Sequence, residues 1–206
     1  PTRVDESYEA DRIDTIDLTL VTYITSIHFT QSEDEDIHVD YLVSGSPAFF
    51  GYSPATETIR PVVDGSKLSV TREPVEVSLD PNLFKMGIAA METSDSRVEI
   101  ALPAEWDGEI IASHMSTVSF RDMKTAADVT LTESRDLLIE EFTTTGSLTV
   151  DETAFVRMEE VDAQGLTIGA YGSVELRYVK ATDLSVHTTD DINGFVLEAD
   201  TIALRS

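Results

Sequence analysis

Between Val118 and Leu204 the chain repeats itself every 18 or 19 residues. One ladder of equivalent positions reads Val118, Leu137, Val156, Val174, Ile192, and two residues on a second reads Phe120, Ile139, Met158, Leu176, Gly194. A third is Met123, Phe142, Val161, Val179, Leu197. Two more follow, Val129, Leu148, Leu166, Leu184, Ile202 and Leu131, Val150, Ile168, Val186, Leu204. Only Gly194 among these positions is not apolar. A fixed period of this length is the mark of a repeat architecture.

Each repeat holds two short strand patterns, with inward positions at i and i+2, and one isolated apolar corner between them. After the second strand come polar stretches such as Thr132–Asp136, Asp151–Ala154, Gly169–Gly172 and His187–Asp191, which are turn compositions. Helices fit poorly, because β-branched residues are dense and no i, i+3, i+4, i+7 run persists. About five inward side chains cannot form a core alone. Stacked coils align like residues and close each other's backbone hydrogen bonds. The expected fold is all-β: a single-stranded parallel β-solenoid of five to six clear coils, with an N-terminal β cap or degraded coils. The expected organisation is a flexible lead-in at 1–12, an N-terminal β region at 13–97 with an insertion at 44–66, and the regular solenoid at 98–206, all in one elongated domain.

The N-terminal region carries the pattern less cleanly. Ile16, Leu18 and Leu20 alternate, then Ile27 and Phe29, then Ile37, Val39 and Tyr41. Their spacing matches half a coil, so the stack begins here in degraded form or is capped here. Val62 to Leu68 reads as a hairpin with Asp64-Gly65 at its tip. Val77 and Leu79 suggest a further strand, and Leu83–Ile88 is an ambiguous stretch that can form a short helix after Pro81. Ile100 and Leu102 lie 18 residues before Val118 and Phe120, and Ile110 and Ala112 lie 19 before Val129 and Leu131, which places a less perfect coil ahead of the clean five. Trp106, the only tryptophan, is expected in the core.

The 206 residues carry 39 acidic and 14 basic side chains, a formal charge of −25. Phosphates and anionic lipid surfaces would be repelled, so neither nucleic acid nor direct anionic-membrane binding is expected. The acid otherwise reads as a solvated surface, and adaptation to high salt or a base-rich genome would give the same bias. Cysteine is absent, which excludes disulfides and thiol chemistry. No apolar run is long enough to span a bilayer, and the chain opens on Pro1, consistent with a processed form.

No catalytic residue, cofactor site or metal site is expected. His28, His38, His114 and His187 are scattered, and no metal-ligand pair, nucleophile elbow or phosphate loop occurs. The run Glu33-Asp34-Glu35-Asp36 can be a cation site or an exposed hairpin, and it lacks the spaced ligands and glycine of a calcium loop. Parallel β-solenoids include pectate-lyase-like enzymes and left-handed acyltransferases. The former need longer coils and loops; the latter keep three equal sides, whereas the steps here are unequal. The insertion at 44–66 places Phe49, Phe50 and Tyr52 on a loop, either as a partner-binding surface or as a plug for the core.

The order of parts resembles a known family. Leading strands around IDTIDLTLVTYITSIHFTQSEDEDIHVDYLVSG are followed by the hairpin VVDGSKLSVTREP and by SRVEIALPAEWDGEIIAS. Short turn-plus-strand units such as TTTGSLTV, DAQGLTI, AYGSVEL and KATDLSV complete the chain. This is similar to the bacterial putative-adhesin β-solenoid family, from about residue 13 to 204. The family's Ser-Gly-Asp-like turn survives here as Thr145-Gly146-Ser147, Gln164-Gly165 and Tyr171-Gly172-Ser173, and is missing before Val156. The resemblance implies an extracytoplasmic or cell-surface domain, tethered to a membrane through a segment outside this sequence, with no catalytic residues. The expected function is a non-enzymatic adhesive or structural module with a protein or glycan partner. The alternative is a sensory or scaffold domain of envelope stress that self-associates through a solenoid end or edge, which would expose apolar groups near Ile202 and Leu204. An enzyme acting on polysaccharide is the third reading.

Overall fold

The computed structural model describes residues 2–19, 25–43, 58–73 and 96–206. Over these residues the chain is a parallel β-solenoid with an antiparallel cap. The coils come from β9 (Thr117–Thr125), β10 (Asp128–Thr132), β11 (Asp136–Thr153), β12 (Phe155–Ala170), β13 (Val174–Thr188) and β14 (Ile192–Arg205). The long strands β11 to β14 each run along one face, turn a corner and continue along the other. Register follows the sequence period: Leu137 lies beside Val118 and Val156, and Val174 beside Val156 and Ile192. Like residues therefore stack on like, and one continuous core results.

Each coil solves a geometric problem at its corner. Strict alternation would let only residues two apart face inward, yet Ile139 and Phe142 are both buried. Between them Glu141 adopts a left-handed backbone, as do Asp122, Glu160, Tyr178 and Val196 at equivalent positions, with φ of 49° to 57°. One such residue inserts an extra outward position and resets the alternation, in the manner of a bulge.

Buried hydroxyls close the corners. Thr125 Oγ1 donates to the Trp106 carbonyl (2.9 Å) and accepts from Ala127 N–H (3.2 Å). Thr144 repeats this toward the Ala127 carbonyl (2.7 Å) and Gly146 N–H (3.0 Å), and Thr188 toward the Gly172 carbonyl (2.5 Å) and Asp190 N–H (3.2 Å). Each hydroxyl thus satisfies groups that a turn would otherwise bury unpaired. Coils also meet tightly there. A Cβ added at Gly172 would lie 2.1 Å from the Ala154 carbonyl oxygen, whereas one at Gly165 would meet nothing nearer than 3.8 Å. Gly172→Ala should therefore lower the unfolding free energy by about 1–3 kcal/mol, and Gly165→Ala should stay within about 0.5 kcal/mol of the parent. Urea denaturation of both variants checks this. Equal effects would contradict the close approach.

The N-terminal segment departs from the sequence expectation. β2 (Thr15–Leu18) and β3 (Thr25–Gln31) form a true half-turn of the stack, and it is an interior one. β3 lies in parallel between β7 (Ser96–Leu102) and β9, with Ile27 beside both Val98 and Val118. β2 lies between β6 (Lys67–Glu73) and β8 (Glu109–Ser113), with Ile16 beside both Leu68 and Ile110. The 18-residue steps from Ile100 to Val118 and from Leu102 to Phe120 therefore do not join neighbouring strands: β3 lies between β7 and β9, and Phe29 sits between Ile100 and Phe120. The step from Ile110 to Val129 does. Trp106 is buried, and its Nε1–H donates to the Ile13 carbonyl (2.7 Å), which ties the inserted segment to the β7–β8 turn.

The cap follows. β4 (Asp36–Val43) runs antiparallel to β7. Thr2–Glu9, expected as a loose lead-in, is instead strand β1, antiparallel to β4. Its polar composition hid a clamp. Glu6 accepts from the Tyr8 hydroxyl (2.5 Å) and the Tyr41 hydroxyl (2.8 Å). Those two bonds hold the Glu6 carboxyl below its ordinary range, and burial followed by the Glu6 bond pushes Tyr41 up to about 12. A 3-10 turn at Ala10–Arg12 leads into β2. On the other face β5 (Thr58–Asp64) and β6 form the expected hairpin, with Gly65 at φ 64° in its tip. The suggestions of a strand at Val77 and Leu79 and of a short helix at Leu83–Ile88 lie outside the described residues.

Candidate interaction surface

Phe49, Phe50 and Tyr52, the partner-binding residues expected from sequence, lie outside the described residues. The surface has to be read from the two faces of the stack.

The face built on β3, β7, β9 and the first halves of β11 to β14 carries charge in rows. Arg121 Nη2 meets Glu140 Oε2 at 2.8 Å, and Arg177 Nη2 meets Glu175 Oε1 at 2.6 Å. Lys180 and Asp162 are 3.9 Å apart. All are solvent-exposed pairs, worth about 0–1 kcal/mol each, so they set the pattern of charge more than the stability.

The opposite face differs. Its middle row runs Ile111, Thr130, Thr149, Thr167, Ser185, Ala203, each paired in register with the next. These six positions carry no charge in a chain of charge −25, and the row meets a carboxylate at Asp17 of β2, which pairs with Ile111. It is bordered by hydroxyl–carboxylate staples: Asp128 Oδ1 accepts from Ser147 N–H and Oγ–H, both at 2.7 Å, and Thr201 donates to Asp183. The paired bonds from Ser147 hold the Asp128 carboxyl below its usual range.

The histidines do not converge. His28 Nδ1 is 2.5 Å from Ser119 Oγ, and burial, with Arg97 nearby, depresses the imidazole. This Ser–His pair does not make a nucleophile. Ser119 lies mid-strand, and β9 is paired in register on both sides there, with β3 and β11. The N–H groups of the strand are taken up by those ladders, so none is free to stabilise an oxyanion beside Oγ. His38 bonds Asp34 Oδ1 at 2.9 Å, which raises its affinity for protons and lowers that of Asp34. The same Asp34 oxygen accepts from Asp36 N–H (2.9 Å) and Ser32 Oγ–H (3.0 Å), so the acidic run is a turn closed on itself. His114 pairs with Glu133 across one coil. Among the described residues no three His, Asp or Glu side chains gather as a cation site would require.

What the surface does offer is a shallow groove on the charged face, lined by Asp136, Leu138, Phe155, Arg157, Ser173 and Glu175. Phe155 is 51% exposed and stands beside Asp136 in register. Arg157 stands between Leu138 and Glu175, with Glu159 (3.7 Å) and Glu175 (4.0 Å) near its guanidinium. An aromatic face, an aliphatic floor and oriented polar groups at the margin are the elements of a small-ligand or sugar contact. Sequence reasoning did not single out these residues. The available signal was Phe155, a large aromatic immediately before the inward Val156, where alternation forces it outward.

Among the described residues no helix is long and apolar enough to cross a membrane. No protein-family model matches the chain, and no curated protein matches it. Solved structures do resemble it over nearly their whole length. A putative cell adhesion protein from Clostridium sporogenes is 13% identical, with 100% of this chain and 98% of that chain covered and a TM-score of 0.39. A putative adhesin from Parabacteroides merdae is 11% identical, with 98% and 96% covered and a TM-score of 0.34. One from Bacteroides fragilis is 10% identical, with 100% and 97% covered and a TM-score of 0.29. The chain is thus similar to putative bacterial adhesins.

Proposed function

We propose that this chain is a non-enzymatic, cell-surface adhesive module that binds a neutral glycan in the groove around Phe155. The groove carries the reading. Phe155 offers a half-exposed ring, and Arg157, Glu175 and Asp136 offer hydrogen-bonding groups beside it. A sugar ring stacks its C–H face on the aromatic and directs its hydroxyls to such a margin. Neutral ligands are favoured because acidic ones meet a chain of charge −25. The ladder backbone supplies a rigid base, and the side chains that act on the partner project from it.

Calorimetric or glycan-array titration with neutral and acidic oligosaccharides tests this. Binding should fall at least tenfold in Phe155→Ala and in Arg157→Ala, and should be unchanged in Thr149→Lys on the opposite face. Binding that survives Phe155→Ala, or that is lost in Thr149→Lys, would remove the groove as the contact.

A further inference from the structure

We propose that the contact around Phe155 is one end of a longer one: the charged face takes an extended, neutral chain of β-1,4-linked sugars, with Tyr178 as a second stacking platform. This rests on the glycan reading of the groove and names the class of glycan. Tyr178 is 50% exposed. β13 is paired on both sides, with β12 and β14, so this is the exposure of an outward side chain and not of a sheet edge. Phe195 packs edge-on against Tyr178, with centroids 5.6 Å apart, and buttresses the ring.

The corner that Tyr178 occupies does not call for a ring. The three preceding coils fill it with Asp122, Glu141 and Glu160, all at positive φ. Tyr178 takes the same left-handed backbone at φ 54°, a region that bulky side chains rarely adopt. Its side chain points away from the core, so the strained position points to a contact outside the fold. Phe155 stands out in the same way. Its row holds Thr117 and Asp136 in the coils before it, each paired in register with the next.

Spacing and charge select the occupant. Glu160 lies five residues beyond Phe155, and its neighbours Glu159 and Val161 pair with Arg177 and Val179, on either side of Tyr178. The two rings therefore stand about 15 Å apart along the strands, farther than a disaccharide reaches. Between them runs a polar strip. Arg157 lies near Glu159 and Glu175, and Arg177 is 2.6 Å from Glu175. Two arginines and two glutamates cancel, and they leave donors and acceptors for hydroxyls. An acidic chain would be repelled by the molecule as a whole, at charge −25. A ligand touching both rings must also be straight. β-1,4 links between equatorial positions give a straight ribbon with C–H faces to stack, whereas α-1,4 links curl the chain.

Titration calorimetry of the whole chain tests this with the β-1,4-linked disaccharides and hexasaccharides of glucose, mannose, xylose and N-acetylglucosamine, and with the α-1,4-linked glucose hexasaccharide. At least one β-1,4 hexasaccharide should bind at least tenfold tighter than its own disaccharide and than the α-1,4 chain. Tyr178→Asn should remove that gain and leave the disaccharide's affinity unchanged, while Phe155→Ala should weaken both. Circular dichroism of Tyr178→Asn should match the parent, since asparagine tolerates a positive φ. A hexasaccharide that binds no tighter than its disaccharide, or that ignores Tyr178→Asn while failing in Phe155→Ala, would overturn the second platform and leave the groove standing. Loss of the disaccharide as well in Tyr178→Asn would overturn the two-platform arrangement in favour of one site. No binding by any β-1,4 hexasaccharide would overturn the inference, and Phe155-dependent binding of another neutral glycan would then still support the groove.

Discussion

A chain lacking residues 1–31 should not fold: no cooperative thermal transition, and far-UV circular dichroism of an unfolded chain. The deletion removes β2 and β3, whose Ile16, Leu18, Ile27 and Phe29 are fully buried. These strands are interior, flanked on both sides by others. Loss of one such side chain costs about 2–5 kcal/mol. Four together match the whole stability of an ordinary domain, about 5–15 kcal/mol. The ladders on either side would also face each other across an empty strand position, with their hydrogen bonds unpaired. A chain ending before Asp190 is the comparison. It loses the end coil alone, whose slots are already half exposed, and should still melt cooperatively. Cooperative melting of the N-terminal deletion would make β2 and β3 peripheral and contradict the stack order.

Phe120→Ala should cost about 3–5 kcal/mol. Phe120 is fully buried and forms the middle of a three-ring column. It stacks on Phe29 with centroids 4.5 Å apart and planes 7° apart, and it meets Phe142 at 5.1 Å, tilted by 56°. The column spans the inserted segment and two regular coils, so its removal opens a cavity where the two parts of the sequence join. Urea denaturation gives the value. The double variant with Phe29→Ala should show coupling of about 0.5–1.5 kcal/mol beyond additivity. Phe155→Ala, on an exposed ring, should stay within about 0.5 kcal/mol. A cost for Phe120→Ala as small as that would place the ring outside the core.

The solenoid was legible because its signal is local and repeated: Leu137, Val156 and Val174 recur at one spacing, and the structure stacks them. The inserted segment was not. His28 touches Ser119 across 91 positions, and Gln31 touches Leu102 across 71, distances at which periodicity carries no information. The 18-residue spacing of Ile100 and Val118 even suggests adjacency, which the intervening β3 breaks. Counting apolar slots also passed over Thr125, Thr144 and Thr188, which are buried because the corner carbonyls need donors. Ile202 and Leu204 show the converse. Their pattern is that of core residues, but burial requires a neighbouring coil, and among the described residues β14 pairs with β13 alone. The groove was illegible for a related reason. Phe155, Arg157 and Glu175 belong to different coils or rows, and only the register brings them together.

The stack order is the central claim, and the absence of native cysteine makes it directly measurable. Residues paired in register on adjacent strands lie about 4.8 Å apart, within disulfide reach, while those two strands apart lie about 9.6 Å apart and beyond it. Under mild oxidation His28→Cys with Glu99→Cys, and His28→Cys with Ser119→Cys, should each form a bridge. Glu99→Cys with Ser119→Cys should not. Efficient bridging of that last pair would put β7 directly against β9, return β3 to the periphery, and contradict the structure.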